Sequence, residues 1–359
     1  MPYNDERRLL RRAVALAALT WLPLAAVAGI ERALGGGIEP LFKDLAVHAR
    51  LLIAVPLLSV AEALSKRYRE DVLRRLIEEE YVADRRSLER ITQSCYRWLS
   101  SPAVWVLIIA AALSMGQAIF WGIISATGPV MGAKLERLPH GPGGIWYTWV
   151  ALPVFYVLIA RVLLRWAAWT ATLFQIARLP LRMVATHPDS AGGIHFVTRP
   201  SAAMAVTALA TSSVLAASWG TEIALGGASA HSFLEPFAVW VLVLLLVTFG
   251  PFLLLSPRLV QTKRTGRREY GKLATLYSRR FHQRWIEAPP DVTLLGSADI
   301  QSLADMGGSF RLIREMRIVP FGYEDILRVL IPTLLPMIPL ALTAVPLSKL
   351  LSQLVRAVA

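Results

Sequence analysis

Long apolar stretches separated by charged segments dominate the hydrophobic pattern of this chain. Seven stretches are nearly free of charge and contain about 20 residues each, the length that an α-helix needs to cross a hydrocarbon layer of about 30 Å. They run over residues 13–30, 45–64, 103–126, 145–164, 201–225, 236–255 and 326–347. Their residues do not alternate with the period of two that barrel strands require. We therefore predict an all-α fold, a polytopic transmembrane bundle of about seven spans.

The last predicted span is interrupted by Pro332, Pro336, Pro339 and Pro346. Because proline lacks a backbone N–H and clashes with the preceding helical turn, we expect this segment to be kinked or re-entrant. The first stretch follows four arginines, as a secretory signal would. Its 18 residues exceed the usual apolar core of about 7–15 residues in such signals, so we expect an uncleaved spanning helix.

Lys and Arg residues are spread unevenly between the segments that join the spans. If the N-terminus lies in the cytoplasm, the cytoplasmic segments contain 30 of them, the external segments contain 6, and Arg50 and Arg328 fall at membrane borders. Cytoplasmic loops collect basic residues, so we predict a bacterial cytoplasmic (inner) membrane protein with a cytoplasmic N-terminus and an external C-terminus. Residues 1–359 form a single integral membrane domain, with cytoplasmic segments 62–101, 166–200 and 257–325.

The composition agrees with a membrane protein and limits its partners. Hydrophobic residues make up 55% of the chain and charged residues 18%, below the roughly 25% of soluble domains. A net charge of +13 would suggest nucleic acid in a soluble protein, but basic cytoplasmic loops explain it, so no nucleic-acid partner is expected. The single cysteine, Cys95, excludes an intramolecular disulfide, a CxxC pair and a thiolate metal cluster.

Two cytoplasmic segments have the spacing of amphipathic helices. In residues 62–99, apolar side chains recur every three or four positions among dense charge, which predicts one helix about 50 Å long. In residues 270–285, an aromatic face is surrounded by basic side chains, among them Arg279, Arg280 and Arg284. This second helix either packs on a neighbour or lies along the membrane with these arginines on anionic lipid head groups, and the sequence supports both alternatives.

The loop before the fifth predicted span contains the motif THPDSAGGIH. Its glycines, Gly192 and Gly193, are suited to positive φ angles. His187, Asp189 and His195 offer nitrogen and oxygen ligands of the kind that a divalent metal binds, but their spacing matches no metal motif. The favoured interpretation is a turn in which Asp189 accepts hydrogen bonds from backbone N–H groups, so no metal site is predicted.

A second motif, SADIQSLADMGG, lies in the last cytoplasmic segment. It predicts a short helix with Ser297 as the N-cap, Asp299 in the first turn and Gly307 as the left-handed C-cap. Asp299, Gln301 and Asp305 carry hydrogen-bonding groups that such a helix does not itself need. We therefore expect the stretch from Asp299 to Asp305 to pack against the first motif, on the same side of the membrane.

These two motifs, in the forms THPDxxGG and SADIQSLAD, and the segment RIVPF resemble a family of uncharacterised bacterial multi-pass inner-membrane proteins. The resemblance covers nearly the whole chain, and the two cytoplasmic motifs are its most specific parts. The sequence departs from the family pattern at His195 and Gly308. The resemblance implies the membrane topology and supplies no mechanism.

The fifth predicted span carries a polar stripe on one helical face. Thr207, Thr211, Ser218 and Glu222 are separated by 4, 7 and 4 residues. Many alanines in the same helix allow close contact with neighbouring helices and predict a central position. The stripe either lines a polar route or forms hydrogen bonds across helices, and the second alternative is the commoner one.

No enzyme signature occurs among the P-loop, HExxH and GxSxG patterns, so the sequence leans away from an enzyme and identifies no cofactor. The leading prediction is a channel-like or transporter-like protein for an ion or small solute. The second is a non-catalytic scaffold or sensor that binds a partner through its cytoplasmic helices. The third is a membrane-embedded enzyme that uses the His187 loop. Membrane lipids are expected partners, and a homo-oligomer is compatible with the sequence.

Overall fold

The computed structural model describes residues 3–34, 44–99, 101–120, 142–287 and 298–344. Within these ranges the backbone is 86% helical and contains no strand, so the all-α prediction is confirmed there. The helices are α1 (Tyr3–Ala33), α2 (Leu45–Glu78), α3 (Arg85–Leu99), α4 (Pro102–Phe120), α5 (Pro142–Ile176), α6 (Ser201–Gly226), α7 (Leu234–Phe249), α8 (Ser256–His282), α9 (Ala298–Glu315), α10 (Tyr323–Leu334) and α11 (Ile338–Ala344).

Five helical stretches of the described chain are long and apolar enough to cross a membrane. They are Arg7–Ala33, Leu45–Glu78, Pro142–Ile176, His195–Ala224 and Ala230–Glu287. These stretches contain the first, second, fourth and sixth predicted spans and all but the last residue of the fifth. The third predicted span is helical and apolar over Pro102–Met115, while its last residues, 121–126, lie outside the described residues. The structure thus supports a membrane-embedded helical bundle.

The seventh predicted span departs from α-helical geometry at Pro336. Helix α10 ends at Leu334, a 3₁₀ turn covers Leu335–Met337, and α11 follows. Pro336 sits inside this turn, where its missing N–H breaks the α-helical hydrogen-bond pattern. The α-helix is therefore interrupted at Pro336, while a kinked or re-entrant segment stays a prediction. Residues 345–347 lie outside the described residues.

Helix α6 occupies the centre of the bundle, packed between α2 and α10. In its most apolar stretch 72% of the residues are buried, against 22% for α1. Alanines at the contacts, such as Ala203, Ala208 and Ala210, are almost fully buried and let the neighbouring backbones approach closely. The central position that the alanine content predicts is therefore observed.

The predicted helix over residues 62–99 is in fact two helices. Helix α2 ends at Glu78, Glu80 adopts a positive φ of 55°, and α3 begins at Arg85. The break allows Tyr81 and Val82 to leave the charged helix surface and become buried, and Val82 forms a β-bridge with Leu181. The apolar spacing continues across this break, which is why the sequence pattern alone predicts one helix.

The three segments predicted to be cytoplasmic meet at one end of the bundle. Arg199 pairs with Asp71 at 2.7 Å, the Arg182 N–H donates to the Tyr81 carbonyl at 2.9 Å, and the Arg258 Nε donates to the Ala177 carbonyl at 2.9 Å. We call this region the polar junction and define it by its interacting side chains. They are Asp71, Tyr81, Asp189, His195, Arg199, Arg317 and Asp325.

Helices α8 and α9 pack against each other to form an arm. Near its start, α8 packs on the junction at Gly266, where an added Cβ would overlap the Cβ of Ala185. Further along α8, a Cβ added at Gly271 would lie 3.8 Å from the Phe310 ring of α9. Helix α9 runs through Gly307 to Glu315, so Gly307 is a helix-interior residue and the C-cap prediction is wrong. Ser297, the predicted N-cap, lies outside the described residues.

Candidate functional site

Asp189 organises the loop of the THPDxxGG motif. Its Oδ1 accepts hydrogen bonds from the Ala191 N–H at 2.8 Å and the Gly193 N–H at 2.9 Å, and its Oδ2 accepts from the His195 N–H at 3.0 Å. Burial acts to raise the pKa of Asp189, but these backbone donors outweigh it, so the pKa of this carboxyl is lowered. The predicted turn around Asp189 is confirmed, and both carboxylate oxygens are engaged in it.

The two motif glycines adopt backbone conformations that other residues rarely reach. Gly192 has a φ of +67° and Gly193 a φ of +91°. A Cβ at Gly193 would also overlap the ring of Tyr81, and one at Gly192 would lie 3.2 Å from the Met316 side chain. The glycines therefore allow the loop to approach two other segments of the junction.

His187 lies beside Asp189 in the same turn, with 2.9 Å between His187 Nδ1 and Asp189 Oδ1. Its ring is 39% exposed, so the contact is at the surface of the junction. Among the described residues no three His, Cys, Asp or Glu side chains are arranged to hold a metal ion. The histidine thus stays within the loop, next to the carboxylate that shapes it.

The loop is tied to the segment after α9 and to the start of α10. Arg317 donates through its N–H to the Ser190 carbonyl at 2.7 Å and through its guanidinium to the Asp189 carbonyl at 2.8 Å. His195 Nε2 lies 2.9 Å from Oδ2 of Asp325, a side chain that is 1% exposed. Sequence reasoning identified His195 but missed Asp325. A carboxylate at the start of a predicted span looked like an ordinary residue in the first turn of a helix.

Asp325 accepts several donors in this buried position. The Gly322 N–H donates to its Oδ2 at 2.9 Å, and Arg328 donates to its Oδ1 at 3.3 Å. Burial acts to raise the pKa of Asp325, but the hydrogen bonds from His195 and Gly322 and the charge of Arg328 lower it further than burial raises it. Asp325 therefore carries its charge inside the junction.

The expected contact between the two motifs is not observed. Arg317, which binds the loop, follows the C-terminal end of α9, whereas Asp299 lies at the N-terminal end, about 24 Å away along the helix axis. Asp299 instead accepts a hydrogen bond from Trp285 Nε1 at 3.2 Å and pairs with Arg284 at 3.1 Å. Gln301 donates to Asp305 at 3.1 Å on the exposed surface of α9. The expectation rested on the hydrogen-bonding groups of this motif, which the structure pairs within the arm instead.

The basic residues of α8 and of the π-helical turn that follows it, Gln283–Glu287, have different surroundings. Arg284 pairs with Asp299 and lies over the Trp285 ring. Its charge therefore contributes to the contact between the two helical segments of the arm. Arg279 and Arg280 are exposed to solvent on α8. Arg284 is therefore suited to packing on a neighbouring helix. Arg279 and Arg280 are suited to contact with a charged surface.

The polar stripe of α6 is mostly buried and makes local hydrogen bonds. Thr207 donates to the Ala203 carbonyl and Thr211 to the Thr207 carbonyl, both at 2.8 Å. Ser218 is 1% exposed, while Glu222 is half-buried near the end of α6. Within the described residues these two threonine hydroxyls thus bind their own helix, so neither a polar route nor hydrogen bonding across helices is shown by them.

Sequence reasoning missed a charged site between α2 and α5. Arg50, expected at a membrane border, is only 4% exposed; its guanidinium donates to the Tyr147 hydroxyl and lies 5.4 Å from the centre of the Phe155 ring. Both helices are wound as π-helices at this contact, over Ala49–Ala54 and Tyr147–Ala151. Short π-helical segments within α-helices are frequent at functional sites. The signal in the sequence was a lone arginine inside an apolar stretch.

The buried hydroxyl next to Tyr147 adds to this site. Thr148 is fully buried, and its Oγ1 has no hydrogen-bond partner among the described residues.

Comparison of the chain with protein-family models, with curated proteins and with solved structures finds no match. The resemblance to a bacterial membrane protein family therefore stays a prediction, and any function must be argued from the residues themselves.

Proposed function

We propose that the protein passes a small anion across a membrane and that Arg50 is the charged group on its route. The observation that carries this proposal is the burial of the Arg50 guanidinium inside a membrane-spanning bundle. A charged side chain costs about 3 kcal/mol at the bilayer centre on insertion scales, and charged residues within spans usually mark an ion or substrate pathway. A permanently protonated guanidinium favours an anion over a cation.

The surroundings of Arg50 support a binding role. Tyr147 and the partnerless hydroxyl of Thr148 are side chains that can hydrogen-bond a passing anion, and the π-helical turns place them beside α2. The Arg50 segment also packs against α6, which carries the polar stripe. Ser218 and Glu222 in the outer half of α6 are the stripe residues we assign to the same route.

The orientation in the membrane is also part of the proposal. The excess of Lys and Arg residues, 30 against 6, supports a cytoplasmic polar junction and a bacterial cytoplasmic membrane. With that orientation, Arg50 lies about 8 Å along α2 from Leu45, in the outer half of the bilayer.

Anion flux into liposomes tests the function. Purified protein should carry chloride, nitrate or phosphate faster than protein-free liposomes, with little effect on sodium or potassium. Arg50→Gln should lower this flux at least about tenfold, and Arg50→Lys should retain part of it because the charge remains. Thr248→Val, which removes a buried hydroxyl on α7, is the matched control and should leave the flux unchanged.

Two outcomes would decide against this function. Wild-type liposomes no leakier than empty ones under several anions would remove its basis. Equal flux in wild type and Arg50→Gln would place the route elsewhere. In that case Thr211→Val and Glu222→Gln test whether the α6 stripe lines it.

A scaffold or sensor is the second candidate, and the arm of α8 and α9 supports it. Leu273 and Leu276 on α8 and Ile286 in the π-helical turn after it are about half exposed or more, beside exposed basic residues. Such an apolar strip with a basic rim suits an anionic membrane surface or an acidic partner protein. Replacing Arg279, Arg280 and Arg284 with Gln should lower thermal stability in anionic bilayers; an equal loss in neutral detergent would indicate plain helix packing instead.

An enzyme built on the His187 loop has less support. Both oxygens of Asp189 are held by backbone N–H groups, so this carboxylate serves the shape of the loop. His187 contacts the same carboxylate. Hydrolytic activity lost in His187→Gln, with the fold retained, would revive this third candidate.

A further inference from the structure

A cavity of about 1280 Å³ opens between α1, α2 and α5. It lies away from Arg50, towards the end of the bundle that carries the polar junction. Seven basic side chains and two carboxylates line it, together with apolar residues. Pockets for drug-sized ligands have volumes of about 300–1000 Å³, so this cavity has room for a polar head group and part of a hydrocarbon chain.

Along α1, the residues that line the cavity change from charged to apolar. Arg8 and Arg12 come first, nearer the junction end, and Leu16 and Leu19 follow one and two turns later. One end of the cavity on this helix is therefore charged, and the other is apolar.

Helices α2 and α5 repeat this order in reverse. Along α2, Ala63 precedes Arg67, and along α5, Leu158 precedes Arg165. Both helices continue from there to the polar junction, so their charged residues lie at the same end as those of α1. The three helices thus form a charged rim above an apolar floor, the order that an amphiphile lying in a membrane has.

Glu62 holds two of the basic side chains on the cavity wall. Its Oε1 pairs with Arg165 at 2.7 Å and also with Arg161. The Nε of Arg161 is buried without a hydrogen-bond partner among the described residues, and its guanidinium lies 5.0 Å from the Trp105 ring centre. One carboxylate therefore fixes two guanidinium groups and leaves them with a net positive charge.

The remaining basic residues add to this excess. Within the described part of the chain, the ion pairs do not include Arg8, Arg12 or Arg67, and Lys66 has only a long pair with Glu70 at 4.0 Å. Guanidinium groups bind phosphate oxygens with paired N–H donors. Basic pockets between spanning helices at this depth suit anionic lipid head groups.

We propose that the cavity binds the phosphate head group of an anionic phospholipid. The rim arginines Arg8, Arg12 and Arg67 contact the phosphate, and an acyl chain lies over Leu16 and Leu19 towards the bilayer interior. A free phosphate ion would use the rim alone, whereas a phospholipid uses both the rim and the floor.

Titration of the full-length protein in neutral detergent tests the site. Phosphatidylglycerol or cardiolipin should raise the thermal midpoint and appear as a bound lipid in native mass spectrometry, while phosphatidylcholine should do neither. The variant with Arg8→Gln, Arg12→Gln and Arg67→Gln should bind the anionic lipid at least about tenfold more weakly, because each basic residue near an anionic group contributes to binding. The three corresponding Lys substitutions should retain most of the binding.

A charge-matched control separates the cavity from general attraction. Arg85→Gln, Arg86→Gln and Arg90→Gln remove the same charge from the exposed surface of α3 and should change lipid binding less than about twofold. Equal weakening by the two triple variants would overturn the site, as would equal binding of phosphatidylcholine. Stabilisation by inorganic phosphate to the same extent would overturn the lipid as the ligand. None of these outcomes depends on anion flux through Arg50.

Discussion

The loop around Asp189 and the helix that begins beside Asp299 both carry an aspartate in a glycine-containing motif, yet they build different structures. Asp189 accepts three backbone N–H donors, and its loop is held by Arg317, a residue 128 positions along the chain. Asp299 binds Trp285 and Arg284, both 15 residues away or closer. The first aspartate therefore fixes the junction of several segments, whereas the second stabilises a local pair of helices in the arm.

This difference predicts how far the effect of a substitution extends through the structure. Loss of a buried acceptor in the junction leaves backbone donors unsatisfied and loosens the segments that meet there. Loss of a partly exposed pair in the arm is replaced by water at little cost. The predictions below test this contrast in order of decreasing effect.

The largest effect is expected from Asp189→Ala. This change removes the acceptor of three N–H groups, at about 1–3 kcal/mol for each unsatisfied group, so we expect the free energy of unfolding to fall by about 4 kcal/mol. Denaturant unfolding in detergent, followed by tryptophan fluorescence, measures it. Asp305→Ala, on the exposed surface of α9, should change stability by less than about 0.5 kcal/mol. Equal losses in the two variants would show that the Asp189 turn does not hold the junction.

Gly193→Ala should have the next largest effect. The positive φ of 91° and the overlap of the new Cβ with Tyr81 together should cost about 3 kcal/mol. Gly307→Ala provides an opposite control, because Gly307 lies inside α9 with open space around its Cα. Alanine there should stabilise the protein by about 0.5–1 kcal/mol. A stabilising Gly193→Ala, seen as a raised thermal midpoint, would contradict the observed close approach to Tyr81.

The sequence predicted those features that follow from local pattern. Apolar stretches of about 20 residues identify spanning helices, small residues identify the central helix α6, and a Pro-Asp pair followed by two glycines identifies a turn. Each of these depends on a few neighbouring residues. The Asp189 turn was correct because its donors lie within six residues of the carboxylate.

The predictions that were wrong concern features that depend on contacts between residues distant in the chain. Tyr81 and Val82 interrupt a helical pattern because the junction buries them, and nothing near them in sequence marks the break. Gly307 looks like a helix end, but α9 continues because α8 packs along it. Arg50 was expected at a membrane border, but α5 covers it and Tyr147 accepts a hydrogen bond from its guanidinium. In each case the partner lies on another segment, distant in the chain.

Acid should weaken the junction before the arm. The pKa values of Asp189 and Asp325 are lowered in the folded protein, so both carboxylates stabilise it at neutral pH. Their contribution is fully present above the unfolded pKa, about 3.9, and is lost as the pH falls below it through the folded pKa. His195 and Arg328 face Asp325, and His187 faces Asp189. We expect the free energy of unfolding to decline below about pH 4, and less steeply in Asp325→Asn. An identical decline in that variant would assign the acid sensitivity to other groups.

The smallest effect is expected in the arm, from the pair between Asp299 and Arg284. Their side chains are 35% and 62% exposed, so solvent screens the pair, and exposed pairs contribute about 0–1 kcal/mol. Asp299→Ala also removes the acceptor of Trp285 Nε1, while the Tyr277 hydroxyl keeps the Asp299 carbonyl as its acceptor. A double-mutant cycle of Asp299→Ala and Arg284→Ala should give a coupling energy below about 0.5 kcal/mol, further reduced by salt. A coupling of 2 kcal/mol or more would mean that the arm is as tightly held as the junction, and the contrast between the two aspartates would fail.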